Sequence, residues 1–185
     1  MTTRIQNGRP ITELRHKEPI TSLCLSSLLS EPVLITGSKD KTIRIWNLLK
    51  NTCLYNLTAH SKAVTAVAMH QNLLFSGGQD SLVKIWDLST VRCLHSVKVD
   101  GTPINIIPSG EDMSSIIVQT SNGAISSIAL SDASLSLIWS SSESTCMAIG
   151  DARIYTSASD HSIAITSLVD PKTQLDPLVG HSASV

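Results

Sequence analysis

His60, Ser76 and Asp80 are the residue types of a nucleophilic triad, in which a carboxylate orients an imidazole and the imidazole activates a hydroxyl. The same order stands upstream as His16, Thr36 and Asp40, with four positions from hydroxyl to carboxylate in each case. A hydrolase has no use for a second triad at a fixed distance, so the repetition points to a structural unit made twice. Gly77-Gly78 invites comparison with a phosphate loop, but no G-x-x-x-x-G-K-[ST] and no helical period follow it, and a tight turn accounts for it better. Cys24, Cys53, Cys93 and Cys146 include no C-x-x-C pair, and His70, His95 and His161 have no ligand spacing. The residues therefore give no catalytic group, no metal site and no cofactor. The cysteines are expected to be small buried hydrophobes in a reducing compartment.

The elements that must position these residues come from the longer repeat. LITGSKDKTIRIWNL (34–48) and LFSGGQDSLVKIWDL (74–88) align without a gap, so that Gly37, Asp40, Ile45 and Trp46 match Gly77, Asp80, Ile85 and Trp86. A period of this size marks a repeat architecture. Short runs with period-two alternation and intervening turns predict four antiparallel strands per unit. They fall near 20–25, 33–36, 42–46 and 52–57 in the first unit, and near 64–69, 73–76, 82–86 and 92–97 in the second. Further on the period outlasts the identity. Asp100 stands where a His is expected, Asn122 where the Asp is, and Val118 and Ile128 replace the hydroxyl residue and the Trp. Trp139 falls on an outer strand, 135–139. A fourth unit keeps Thr156 and Asp160 but has Thr166 in place of Trp, and 175–179 suggests another outer strand. Gly180-His181 to Val185 reads as the opening of one more repeat, which suggests a fragment of a longer product.

Hydrophobic residues make up 42% of the 185, yet only 3% are aromatic, and the formal net charge is −1. Bulk electrostatic binding to nucleic acid is disfavoured by that balance, although a local patch is compatible with it. No apolar run reaches the roughly 18 residues that span a bilayer. MTTRIQNGRP lacks the apolar centre of a signal peptide. Together these predict an intracellular protein, cytoplasmic or nuclear, with no membrane partner.

Strand, G-S-x-D or G-G-x-D turn, strand ending in I-W-N/D, and a His four before the next strand resemble the WD40 repeat. The match is close over 31–69 and 71–104, weak over 105–141 and intermediate over 142–185. The resemblance implies an all-β fold: a WD40-type β-propeller segment of about four four-stranded antiparallel blades forming an incomplete, open ring. Residues 1–10 are expected to be a loose N-terminus and 11–185 the propeller segment, with blades near 15–57, 59–97, 99–139 and 142–178. A further repeat is expected to start at 180–185. Ile11–Leu14 would be the outer strand of the last blade, whose other strands would be missing or supplied elsewhere.

A buried Trp needs a partner for its N–H. The resemblance supplies one, a chain from the indole through a hydroxyl and a His to the turn Asp. It implies tetrads at His16, Thr36, Asp40 and Trp46 and at His60, Ser76, Asp80 and Trp86, and it leaves the third and fourth blades looser. The loops carrying each His and each Asp should emerge on one rim, where Lys17, Lys39, Lys41 and Lys62 would form a patch for an acidic partner segment. The function implied is a non-enzymatic interaction scaffold within a multiprotein complex, with other proteins as partners. The alternative is a propeller subunit of an RNA-processing or ribosome-assembly particle.

Overall fold

A computed structural model describes residues 3–6, 9–12, 14–28, 31–109, 114–140, 146–150, 153–157, 162–168 and 174–179. Its elements are all strands. Blade 1 comprises β3 (Ile20–Leu28), β4 (Glu31–Ser38), β5 (Thr42–Asn47) and β6 (Thr52–Thr58). Blade 2 comprises β7 (Val64–His70), β8 (Leu73–Gly78), β9 (Leu82–Asp87) and β10 (Arg92–Lys98). Blade 3 is built from β11 (Pro103–Ser109), β12 (Ser115–Thr120), β13 (Ala124–Ala129) and β14 (Leu135–Ser140). Blade 4 is built from β15 (Met147–Gly150), β16 (Arg153–Ser157), β17 (Ser162–Ser167) and β18 (Gln174–Val179). Each blade is an antiparallel meander paired in chain order, and no sheet is closed. The first strands meet at the blade junctions, β3 against β7, β7 against β11 and β11 against β15. The eight strands expected in the first two units all form, each reaching one to four residues beyond its expected bounds.

Alternation along the strands gives each blade two apolar faces, and the core lies between blades. Val33, Ile35, Ile43 and Ile45 of blade 1 pack against Val64, Val67, Met69, Leu74 and Trp86 of blade 2. Phe75, Val83 and Ile85 of blade 2 pack against Ile106, Ile116, Val118 and Ile128 of blade 3. Between blades 3 and 4 the described buried cluster shrinks to Ile117, Ile125, Met147 and Ile154. Glycine at one repeated position sets how closely blades approach. A Cβ on Gly37 would lie 2.6 Å from Val64 Cγ1, and one on Gly77 would lie 2.5 Å from Pro103 Cβ. In blade 3 the equivalent residue is Gln119, which is fully buried.

Polar stitches reinforce the junctions. Thr21 Oγ1 donates to Val64 O, and Thr65 Oγ1 donates to Pro103 O, both at 2.5 Å. Each Thr occupies the extra residue of a bulge in the first strand. In blade 3 that residue is Ile104, which has no donor, and Asn105 Nδ2 reaches Met147 O at 3.3 Å instead.

The N-terminal strand differs from expectation. β2 (Arg9–Thr12) pairs with β1 (Thr3–Gln6) in a separate two-stranded sheet, in the register Gln6 to Arg9, and Leu14 lies outside any strand. The chain between them reads Asn7-Gly8, a dipeptide that favours local pairing of the segments on either side. On blade 1, Leu23 and Leu25 are 65% and 68% exposed, whereas their blade 2 counterparts Val67 and Met69 are buried against blade 1. The arc is open at that face.

Candidate functional site

The turn after β4 aims Asp40 back across its blade. Ser38 Oγ donates to Glu18 O and accepts the Asp40 N–H, while Asp40 Oδ1 accepts the N–H and hydroxyl of Thr42 at 3.0 and 2.6 Å. Lys41 takes φ 71° to make the turn, and Ser81 takes φ 60° in blade 2. Thr36 lies opposite Arg44 across β4 and β5, and Trp46, two residues beyond Arg44, shares that face. The indole therefore reaches the Thr36 hydroxyl along the sheet.

The contacts are the same in both blades. Trp46 Nε1 donates to Thr36 Oγ1 at 2.8 Å, Thr36 Oγ1 lies 2.6 Å from His16 Nε2, and His16 Nδ1 lies 3.0 Å from Asp40 Oδ2. Trp86 Nε1 donates to Ser76 Oγ at 3.0 Å, Ser76 Oγ lies 2.9 Å from His60 Nε2, and His60 Nδ1 lies 2.8 Å from Asp80 Oδ1. One proton assignment satisfies every member: the indole donates to the hydroxyl, the hydroxyl to Nε2, and Nδ1–H to the carboxylate. It requires a neutral imidazole. Burial pushes His60 below its ordinary pKa and prevails over the opposing pull of Asp80. Burial pushes the Asp40 carboxyl upward but is outweighed by hydrogen bonds from Thr42, Lys17 and His16, which hold it well below the usual carboxylate range. Asp80 is lowered likewise: burial is outweighed by hydrogen bonds from Ser61 and His60.

The connectivity of His60, Ser76 and Asp80 matches that of a triad, but Ser76 is 0% exposed and its oxygen already takes the Trp86 N–H. There is no surface at which a substrate could meet it. A cation closes the outer side of each ring, with Arg44 Cζ 5.7 Å from the Trp46 centroid and Lys84 Nζ 5.7 Å from that of Trp86. Gly78 lets this network close, since a Cβ there would lie 2.5 Å from His60 Nδ1.

Blades 3 and 4 solve the same place differently. Val118 and Ile128 are fully buried and apolar. Above them Asn122 Nδ2 donates to Asp100 Oδ2 at 3.0 Å, and Asn122 Oδ1 accepts from Thr120 Oγ1 and from the Ala124 amide. The His–Asp pair has become an Asp–Asn pair, which sequence reading missed although both residues stood at the expected positions. In blade 4, Thr156 Oγ1 is buried with no hydrogen-bond partner among the described residues, and Thr166 fills the Trp position. Asp160, His161 and His181 lie outside the described residues, as does the side chain of Trp139.

Lys17, Lys39, Lys41 and Lys62 are exposed, and the loops that carry them are laced together. The Lys17 amide donates to Asp40 Oδ2, Lys39 N to Pro19 O, and the Ala59 and His60 amides to Lys41 O. Ser61, beside Lys62, donates its amide to Asp80 Oδ2 at 2.9 Å. The cysteines do not follow the expectation of burial. Cys53, Cys93 and Cys146 are exposed and Cys24 is half-buried, and none of the four is in a disulfide. Cys53 and Cys93 lie near the start of outer strands, each just before a bulge at Leu54 or Leu94, and each thiol donates to the carbonyl two residues on.

Comparison with known proteins falls on the same blades. The family model "WD domain, G-beta repeat" matches residues 8–47 and 51–87. These are WD40 repeats. Nuclear distribution protein PAC1 of Mycosarcoma maydis is 37% identical over 62 residues, 34% of this chain and 14% of that protein. Sterol regulatory element-binding protein cleavage-activating protein of Xenopus laevis is 40% identical over 58 residues, 31% of this chain and 4% of that protein. The match thus spans a small part of either relative. Among solved structures, the computationally designed Ika8 protein superposes with a TM-score of 0.76 at 20% identity, over 92% of this chain and 52% of that one, a likeness of fold alone. WD40 repeats are in general protein-interaction modules. No helix among the described residues is long and apolar enough to cross a membrane.

Proposed function

We propose that the chain is a non-enzymatic scaffold whose rim of Lys17, Lys39, Lys41 and Lys62 docks an acidic segment of a partner protein. The observation that carries this reading is the placement of four exposed cations on interlaced loops, standing on the two blades whose polar networks are complete. A rigid framework presenting charged loops costs little ordering on binding.

Fluorescence anisotropy with an Asp/Glu-rich peptide tests the reading. Binding that weakens with salt and falls at least about tenfold in the Lys39→Glu, Lys41→Glu double variant is the expected result. Unchanged affinity in that variant overturns it. An RNA oligonucleotide bound more tightly than the peptide would replace it with the RNA-linked role.

A further inference from the structure

Blade 3 lacks three large side chains that fill one place in blades 1 and 2. Ile128 replaces the Trp, Asp100 replaces the His, and Ser126 occupies the position of Arg44 and Lys84. A cleft of about 330 Å³ opens there, lined by Asp100, Asn122, Ala124, Ser126, Leu135 and Leu137. Ser126 pairs with Leu137 and Ile128 with Leu135 across β13 and β14, so these side chains share the face turned toward blade 2. Ser126 is 8% exposed and lines the cleft, and its hydroxyl has no hydrogen-bond partner among the described residues. Leu135 and Leu137 are 42% and 66% exposed. At the mouth, Asn122 uses one donor on Asp100 Oδ2 and leaves the other carboxylate oxygen open.

We propose that this cleft binds the side chain of a lysine or arginine contributed by a partner protein. The repeat itself supplies the template, because at the same position of blade 2 the chain places its own Lys84 across the sheet. In blade 3 the stem of the incoming residue lies on Leu135, Leu137 and Ala124, the Ser126 hydroxyl accepts a hydrogen bond from its N–H, and the Asp100 carboxylate supplies the attraction that the face of the Trp ring provides elsewhere. The rim is then polarised, basic over blades 1 and 2 and anionic at blade 3. This site stands independently of the acidic-peptide reading, since none of its residues belongs to that patch.

Methyl and amide NMR of the full chain, titrated with n-butylguanidinium, n-butylammonium, n-butanol and butyrate, tests the proposal. The two cations should shift Leu135, Leu137 and Ser126 in the millimolar range, with butanol and butyrate inert at the same concentrations. Asp100→Asn keeps an acceptor for Asn122 and should weaken cation binding about three- to fivefold, the scale of one exposed ion pair. Ser126→Lys fills the cleft in cis and should abolish binding. Equal response to butanol, no response to either cation, or undiminished binding in both variants overturns the assignment.

Discussion

Blades 1 and 2 and blades 3 and 4 share one meander and one period, yet they stabilise it by different means. The first pair closes each blade with a buried indole whose N–H runs through a hydroxyl and an imidazole to a carboxylate at the rim. Blade 3 removes the polar chain and fills the place with Val118 and Ile128, capped by Asp100 and Asn122. In blade 4 the buried Thr156 Oγ1 has no partner among the described residues, and Thr166 stands at the Trp position. A polar network stabilises a single geometry only when every member is satisfied, and an orphaned group costs more than an apolar replacement. Blade 3 therefore loses specificity at little energetic cost. Close packing diverges in parallel, since glycine admits the next blade at positions 37 and 77 and Gln119 stands there in blade 3.

Substitutions can break this contrast. The largest effect belongs to Trp86→Ala, expected to cost about 3–5 kcal/mol, whereas Ile128→Ala should cost about 2 kcal/mol because no polar group is orphaned. Urea midpoints of the two variants decide it, and equal losses would erase the distinction between the blades. Next is Gly77→Ala, which drives a methyl into Pro103 and should cost about 1–3 kcal/mol. Gly150→Ala in blade 4 meets nothing within 4 Å and should be neutral or gain up to about 1 kcal/mol.

Acid sharpens the comparison further. His60 is held below its ordinary value of 6.5 in the fold, so the unfolded chain takes up a proton that the folded chain refuses. Stability is then lost as pH falls below about 6.5 and down to the lowered folded pKa, with Asp40 and Asp80 adding losses below 3.8. Thermal melts at pH 7.5 and 5.5 should show the drop in the native chain and a smaller one in His60→Gln. The smallest effect is Lys41→Gly, which relieves left-handed strain but loosens the unfolded chain, for a net gain of roughly 0.5 kcal/mol. It should weaken acidic-peptide binding at the same time.

What was readable in the sequence was what the repeat states twice. The strands of blades 1 and 2, and the residues that meet in their networks, follow from matched spacing around Trp46 and Trp86. Features present once were harder to read. The Asp100–Asn122 pair follows from no repeat pattern, because its members exchange the chemistry of the two positions they occupy. The Thr21 and Thr65 stitches depend on bulges that pairing register alone reveals. Cys53 and Cys93 stand near the exposed start of an edge strand, a position that their hydrophobicity does not encode. The pairing of β1 with β2 lies in a stretch read from its polarity as loose, although Asn7-Gly8 between them is a dipeptide that favours local pairing.

The most direct test of the central claim is native-state hydrogen exchange resolved by strand. Amides of Ile45 in β5 and Ile85 in β9 should exchange only through global unfolding, while that of Ile165 in β17 exchanges faster through local opening. Equal protection across the four blades, or slower exchange in β17 than in β5 and β9, would contradict the account.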